Sequence, residues 1–175
     1  MALDISIARD ADDAFVNRVA ELVNQVYADA EKGIWQPGAL RTSVAEMESV
    51  VRAGELAVAR LDGELVGAVR LQRLDSGEGE FGMLVADPAH RGLGIGRALV
   101  AFAEDWARDR GLPTMQLELL VPRGWTHPVK EFLRDWYTRL GYRAVRSDPF
   151  EEAHPALQPL LATGCDFVVY HKPLR

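Results

Sequence analysis

Residues 91–97 read Arg-Gly-Leu-Gly-Ile-Gly-Arg and lie between an apolar run and an amphipathic stretch that stops at Gly111. Alternating glycines let a backbone turn tightly and approach a ligand, and free N–H groups at a following helix N-terminus favour phosphate oxygens. Arg91 and Arg97 add charge-assisted donors. These residues suit the binding of a pyrophosphate; without a ligand they would make only a tight turn. No lysine or hydroxyl residue follows the glycines as a P-loop requires, which disfavours nucleotide hydrolysis. A dinucleotide fingerprint also fails, because the position where it needs its last glycine is Arg97 counted from Gly92 and Leu99 counted from Gly94.

The periodicities predict the elements that must hold this loop. A short strand over residues 4–8 is followed by a helix over 12–30, with Phe15, Val19, Leu22, Val23, Val26 and Ala30 on one face. A loop, 31–41, carries Gly33, Trp35, Pro37 and Gly38; Ser43 with Glu46 then reads as a capping box opening a helix that runs to about Ala53. Strands at 55–61 and 64–71 flank Asp62-Gly63, a strong hairpin signal, and a third strand at 80–86 makes three antiparallel strands in succession. A helix over 96–110, a strand at 114–121 and a helix over 129–140 follow, the last with Val129, Phe132, Leu133, Trp136 and Leu140 on its apolar face. Strands at 142–146 and 167–171 enclose a long segment, 148–164, with helical character around 155–162. Without repeats or a linker, residues 1–175 read as one α/β domain.

Composition narrows the function. With 20 basic and 26 acidic residues the net charge is -6, which argues against nucleic acid as a partner. The charge is uneven: residues 1–87 hold 8 basic and 16 acidic side chains, and 88–175 hold 12 and 10. No run approaches a membrane span, nothing suggests secretion, and a cytoplasmic location is expected. The single Cys165 reads as a small buried residue, and His90, His127, His154 and His171 assemble no metal or triad pattern, so no metal is expected.

With these features in place, the sequence resembles the GNAT superfamily of N-acetyltransferases. Its Gln/Arg-x-x-Gly-x-Gly/Ala signature is matched by Arg91, Gly94 and Gly96. The strand Phe81-Gly82-Met83-Leu84-Val85 with Asp87-Pro88, and the segment Trp136-Tyr137-Thr138-Arg139-Leu140-Gly141-Tyr142, resemble the family as well. The resemblance implies a mixed, mostly antiparallel central sheet flanked by helices. It implies acetyl-CoA as co-substrate, its pyrophosphate on Arg91, Gly92, Leu93, Gly94, Ile95, Gly96 and Arg97. The resemblance further implies that the strand ending at Val85 bulges and splays from 114–121, leaving unpaired backbone groups for the pantetheine arm, with a backbone N–H near Leu84 or Val85 polarising the acetyl carbonyl. Tyr137 is the implied acid and Glu80 the implied catalytic carboxylate, with Glu78 as a weaker alternative; a core aromatic and a solvated strand-edge carboxylate are their plain readings. Where many relatives carry an asparagine seven residues before the tyrosine, this chain has Lys130, expected on the polar face of its helix, with contact to a phosphate as its other reading.

The implied reaction is direct attack by a primary amine on acetyl-CoA in a ternary complex. Trp35 and Trp125 are candidate acceptor-binding residues, with loop anchoring as their other reading. Glu151, Glu152 and the acidic first half lean toward a small cationic amine. A non-catalytic acyl-CoA-binding sensor is the alternative, a nicotinamide dinucleotide oxidoreductase a distant third. The fold is compatible with a homodimer through its C-terminal strands.

Overall fold

A computed structural model describes residues 2–9 and 11–175. Among the described residues seven strands form one sheet: β1 (Leu3–Ile7), β2 (Leu56–Leu61), β3 (Glu64–Arg73), β4 (Gly79–Ala86), β5 (Thr114–Pro122), β6 (Arg143–Pro149) and β7 (Cys165–Pro173). Their spatial order is β1-β2-β3-β4-β5-β7-β6. Every neighbouring pair is antiparallel except β4 and β5. The α/β class with a mostly antiparallel sheet is therefore as expected.

Period-two side-chain alternation assigns the strands' two faces to two helical layers. Leu56 and Val58 face α1 (Asp13–Ala30) and α2 (Val44–Arg52), together with Val19, Leu22, Val23 and Met47. Ala57 and Ala59 belong to the opposite core, with Leu99, Val100 and Ala103 of α3 (Ile95–Asp109) and Tyr137 of α4 (Pro128–Arg139). Local chemistry starts both helices of the first layer: Asp12 accepts from Phe15 N at 2.8 Å, and Ser43 accepts from Glu46 N at 3.0 Å. The Glu46 carboxylate turns instead to the Thr42 hydroxyl, so only half of the expected capping box forms. At the β2–β3 hairpin, Asp62 and Gly63 have φ of 50° and 88°, the left-handed pair that a tight two-residue turn requires.

One glycine fixes how closely α3 approaches the sheet. A Cβ on Gly67 would lie 2.9 Å from both Ile95 Cγ2 and the Val85 carbonyl oxygen, so only hydrogen fits there.

The second half departs from expectation in three places. The α4 residues buried from solvent are Lys130 and Tyr137, while Phe132 is 61% exposed, because the helix borders an open cleft and not a continuous core. The helical character expected around 155–162 is reduced there to a short 3-10 turn at Gln158–Leu160, and a single α-helical turn appears earlier, at Phe150–Ala153. Proline lacks the N–H that an interior helical position needs, and Pro159 is accommodated in the first turn of that short 3-10 element. Strand β6 starts at Arg143 and reaches Pro149, further than 142–146, because it pairs along β7 as far as Asp166.

Candidate active site

The functional cleft arises from a failure of strand pairing. Strands β4 and β5 pair only at Gly79 with Met115 and Glu80 with Gln116. Beyond them β5 stays bonded to β7 along its whole length, whereas β4 bends away and leaves its β5-facing edge unpaired. The bend is a bulge: Val85 pairs with Ala68 and Gly82 with Arg70, leaving the two residues between them opposite one. Met83 takes φ of 53°, an unusual conformation for a side chain other than glycine. The wedge opens into a cleft of about 1670 Å³.

The glycine loop closes one end. Asp87 accepts from Ala89 N at 2.9 Å, ordering a short turn over Pro88–His90, and the chain then passes Arg91 to enter α3. Gly92 and Gly94 have φ of 83° and 71°, and a Cβ on either would meet nothing within 4 Å, so their outer side is open. No side chain caps α3; the first of its amides to bond back is Ala98, to the Gly94 carbonyl at 2.9 Å. The amides of Ile95, Gly96 and Arg97 are thus left without intrahelical acceptors, a ready anion cradle. Arg91 and Arg97 are exposed and form no ion pair among the described residues. Gly96 serves packing instead, since a Cβ there would stand 3.5 Å from Trp136 of α4. His90 Nδ1, beside the loop, is buried without a hydrogen bond.

Of the residues singled out from sequence, Arg91, Gly92, Gly94, Ile95, Gly96, Arg97, Leu84, Glu80, Tyr137 and Trp35 line this cleft; Leu93, Val85 and Trp125 do not. The Val85 side chain is core, and Leu93 is 41% exposed. Trp125 donates to the Thr163 hydroxyl at 3.0 Å and lies against His127. Trp35 donates to Glu31 Oε1 at 2.9 Å and packs edge-on against Phe150. The two expected acceptor loops are stitched together, with Gln36 N donating to Leu160 O and Ala162 N to Ile34 O, both at 2.8 Å.

Tyr137 is buried between Phe81, Trp136 and Tyr142. Burial pushes its hydroxyl far above the ordinary tyrosine range, with nearby Tyr27 adding to the effect, so it holds its proton throughout the working pH range. Glu80 lines the cleft at the last β4 position paired with β5, where the wedge begins to open. Burial raises its proton affinity, opposed by Gln116 Nε2, which donates to Oε2 at 2.7 Å. Glu78 stays in the exposed turn before β4, bonded to Ser76 and outside the cleft lining. Cys165 is buried, its thiol pushed up to about 11 by burial, which leaves it a poor nucleophile.

Two cleft residues, Glu118 and Tyr27, were missed from sequence, and a third, Lys130, was misplaced. Lys130 does not lie on a solvated face: its ammonium and Glu31 Oε2 are 2.6 Å apart, both side chains 6% exposed, tying α4 to the end of α1. Its partner is 99 positions away, so no local pattern announces the pair. Glu118 lies exposed on the cleft floor without an ion pair among the described residues, whereas Glu151 is taken up by Arg123 at 2.7 Å. Tyr27 lines the cleft beneath the Arg41 guanidinium, 5.2 Å from the ring centroid. Its place four residues after the core residue Val23 was the available signal.

A strand splayed at a bulge and a helix-capping glycine loop facing the same wedge define a site for a ligand with an anionic end and an extended arm. Residues 20–142 match the model of the acetyltransferase (GNAT) family, and the chain belongs to that family of acyltransferases. Solved structures agree in fold. An aminoglycoside 6′-N-acetyltransferase complexed with coenzyme A superposes with a TM-score of 0.73 at 19% identity, over 98% of this chain and 97% of its own. A Mycobacterium tuberculosis protein in complex with coenzyme A gives 0.69 at 22% identity over 98% and 99%. The N-acetylglutamate synthase from Neisseria gonorrhoeae, complexed with coenzyme A and N-acetyl-glutamate, gives 0.69 at 19% identity. That match covers 100% of this chain but only 36% of the synthase. No curated protein sequence matches the chain. No helix among the described residues is long and apolar enough to cross a membrane. Nor does any group of three or more His, Cys, Asp or Glu among them stand ready to hold a metal ion.

Proposed function

We propose that the chain transfers an acetyl group from acetyl-CoA to a small cationic primary amine, by direct attack in a ternary complex. The observation that carries this reading is the presence of three features on one cleft: the uncapped amides after Gly94, the unpaired edge of β4, and Glu80 and Tyr137 in the lining. The pyrophosphate belongs on the amides of residues 92–97, with Arg91 and Arg97 as counter-charges. The thioester arm then runs along the open β4 edge in the place of a missing strand.

The amine arrives as ammonium and must lose a proton before it attacks. Glu80, made more basic by burial than an ordinary carboxylate, takes that proton. As the N–C bond forms, negative charge collects on the acetyl oxygen, which a backbone N–H at Leu84 or Val85 stabilises. The C–S bond breaks, Tyr137 gives its proton to the departing thiolate, and the nitrogen sheds its surplus proton to water, leaving a neutral amide. The tyrosinate and the protonated Glu80 then return to their starting states by exchanging one proton through solvent.

The lean toward a cationic acceptor rests on Glu80 and Glu118, two carboxylates on the cleft floor without an ion-pair partner among the described residues. The test is release of free thiol from acetyl-CoA over a panel of diamines, arylalkylamines and amino acids, with mass spectrometry of the product. Turnover of amines lacking a carboxylate supports the reading. Preference for acidic acceptors, or no turnover of any amine by folded protein that binds acetyl-CoA, contradicts it.

A further inference from the structure

Polar residues on three adjacent strands are more ordered than a solvated sheet face requires. Glu80 on β4 stands in register with Gln116 on β5, and Gln116 with His171 on β7. Their side chains are joined: Gln116 Nε2 donates to Glu80 Oε2 at 2.7 Å, and His171 Nε2 lies 2.7 Å from Gln116 Oε1. Gln116 is only 5% exposed in a central strand, where an amide is costly unless both ends are bonded. An apolar side chain would fill the same space without that cost.

The direction of this chain is set by what each group can do. An ionised carboxylate only accepts, so the Gln116 amide must point its NH₂ at Glu80 and its oxygen at His171. His171 must therefore donate from Nε2. Glu80 Oε1 is left without a hydrogen bond among the described residues, and Glu80 lines the cleft.

We propose that Gln116 and His171 are positioning residues for Glu80, holding Oε2 as a pure acceptor so that Oε1 receives the proton of the attacking amine. The proposal rests on the reading of Glu80 as the base. Its sign is defined: donation from Gln116 favours the carboxylate while burial opposes it, so breaking the chain leaves burial unopposed and Glu80 binds its proton more tightly. Arg70 of β3 also favours the carboxylate, whereas Glu78 and Glu118 oppose it. On the far side, His171 faces Arg143 of β6 in register, and Glu78 lies within electrostatic reach of both His171 and Arg146.

The test needs no acceptor. In the intact chain labelled at the glutamate carboxyl carbon and the imidazole nitrogens, NMR titration follows Glu80 and reads the His171 tautomer. The expected results are an Nε2–H imidazole at His171 and an ionisation constant for Glu80 about tenfold smaller in Gln116→Leu, matching the loss of a hydrogen bond to a charged group. His171→Phe shifts it in the same direction, and His171→Gln, which keeps a donor near the Nε2 position, restores it. An Nδ1–H tautomer, or a Glu80 titration that stays put in His171→Phe, overturns the proposal. The His171 pair decides the matter even if Gln116→Leu does not fold. Thiol release by Glu80→Gln is read separately. A rate that survives this change defeats the reading of Glu80 as base; a lost rate with an unmoved titration in His171→Phe defeats the positioning chain alone.

Discussion

Replacing Tyr137 with Phe separates the hydroxyl from the ring that carries it. The ring is 6% exposed, with the Phe81, Trp136 and Tyr142 centroids 6.0, 5.0 and 6.2 Å away, and phenylalanine keeps all three contacts. The hydroxyl hydrogen-bonds to no other described residue, so its removal orphans no partner. A buried polar group without a partner costs about 1–3 kcal/mol, and this one keeps part of its hydration because it opens on the cleft. Stability should therefore rise by about 0–1 kcal/mol, a Tm change of roughly 0–4 °C for a chain of this size. The rate should move the other way. A positioned acid contributes about 10²–10⁴-fold, so kcat should fall by about 100-fold or more while the Kd for acetyl-CoA stays within about threefold. Thermal melting, titration of acetyl-CoA and a thiol-release assay read the three quantities on one preparation. A variant that melts several degrees lower, or one whose kcat stays within about threefold of the parent, refutes the assignment. In a chain without turnover of any amine, the sensor alternative would take its place.

Further outcomes follow from the same geometry. Glu80→Gln should cut kcat about 10²–10⁴-fold and abolish the acid limb of the pH–rate profile, measured by thiol release between pH 4.5 and 8. Glu80 binds its proton more tightly folded than unfolded, so it favours the fold at low pH and that contribution is lost as pH rises through the raised folded value. The glutamine variant should consequently gain stability near neutral pH, a gain that urea denaturation should find fading under acid. Lys130→Met leaves the buried Glu31 carboxylate uncompensated and should cost about 3–5 kcal/mol, with most of the loss recovered in the Lys130→Met, Glu31→Gln double variant. Denaturant midpoints decide this; a single variant as stable as the double one contradicts it. Gly67→Ala forces a methyl group onto Ile95 Cγ2 and the Val85 carbonyl at 2.9 Å and should cost at least about 1–3 kcal/mol. A Tm within 1 °C of the parent would show that α3 slides freely on the sheet.

The parts of the molecule that were legible in the sequence are those whose cause is local. Asp62-Gly63 marks its turn by residue type, Gly92 and Gly94 mark theirs by needing positive φ, and both appear where expected. Period-two and helical repeats placed the strands and the four long helices to within a few residues, but not the helical turn at Phe150–Ala153. The wedge between β4 and β5 was implied by the family resemblance alone and not legible in the residues themselves, because it depends on Met83 adopting φ of 53° with no glycine to announce it. Long-range polar partnerships were equally invisible: Lys130 reads as a surface residue until Glu31 is seen beside it, and Gln116 reads as an ordinary strand position until Glu80 and His171 flank it. Helix α4 misled for a related reason. Its apolar stripe is real, but a helix bordering a cleft need not bury all of it, and Phe132 stays out while Lys130 goes in.

The central claim is that the glycine loop and the open β4 edge together bind the acetyl thioester. It is tested most directly by the melting temperature with saturating acetyl-CoA, beside NAD and ATP as controls. A ligand at about 100 times its Kd adds roughly 2.7 kcal/mol, which for this chain length is a rise of about 5–10 °C. The account predicts that rise with acetyl-CoA, none of comparable size with either control, and its loss in an Arg91→Ala, Gly94→Val variant that remains folded. No shift at saturation, or an equal shift with ATP, would contradict it.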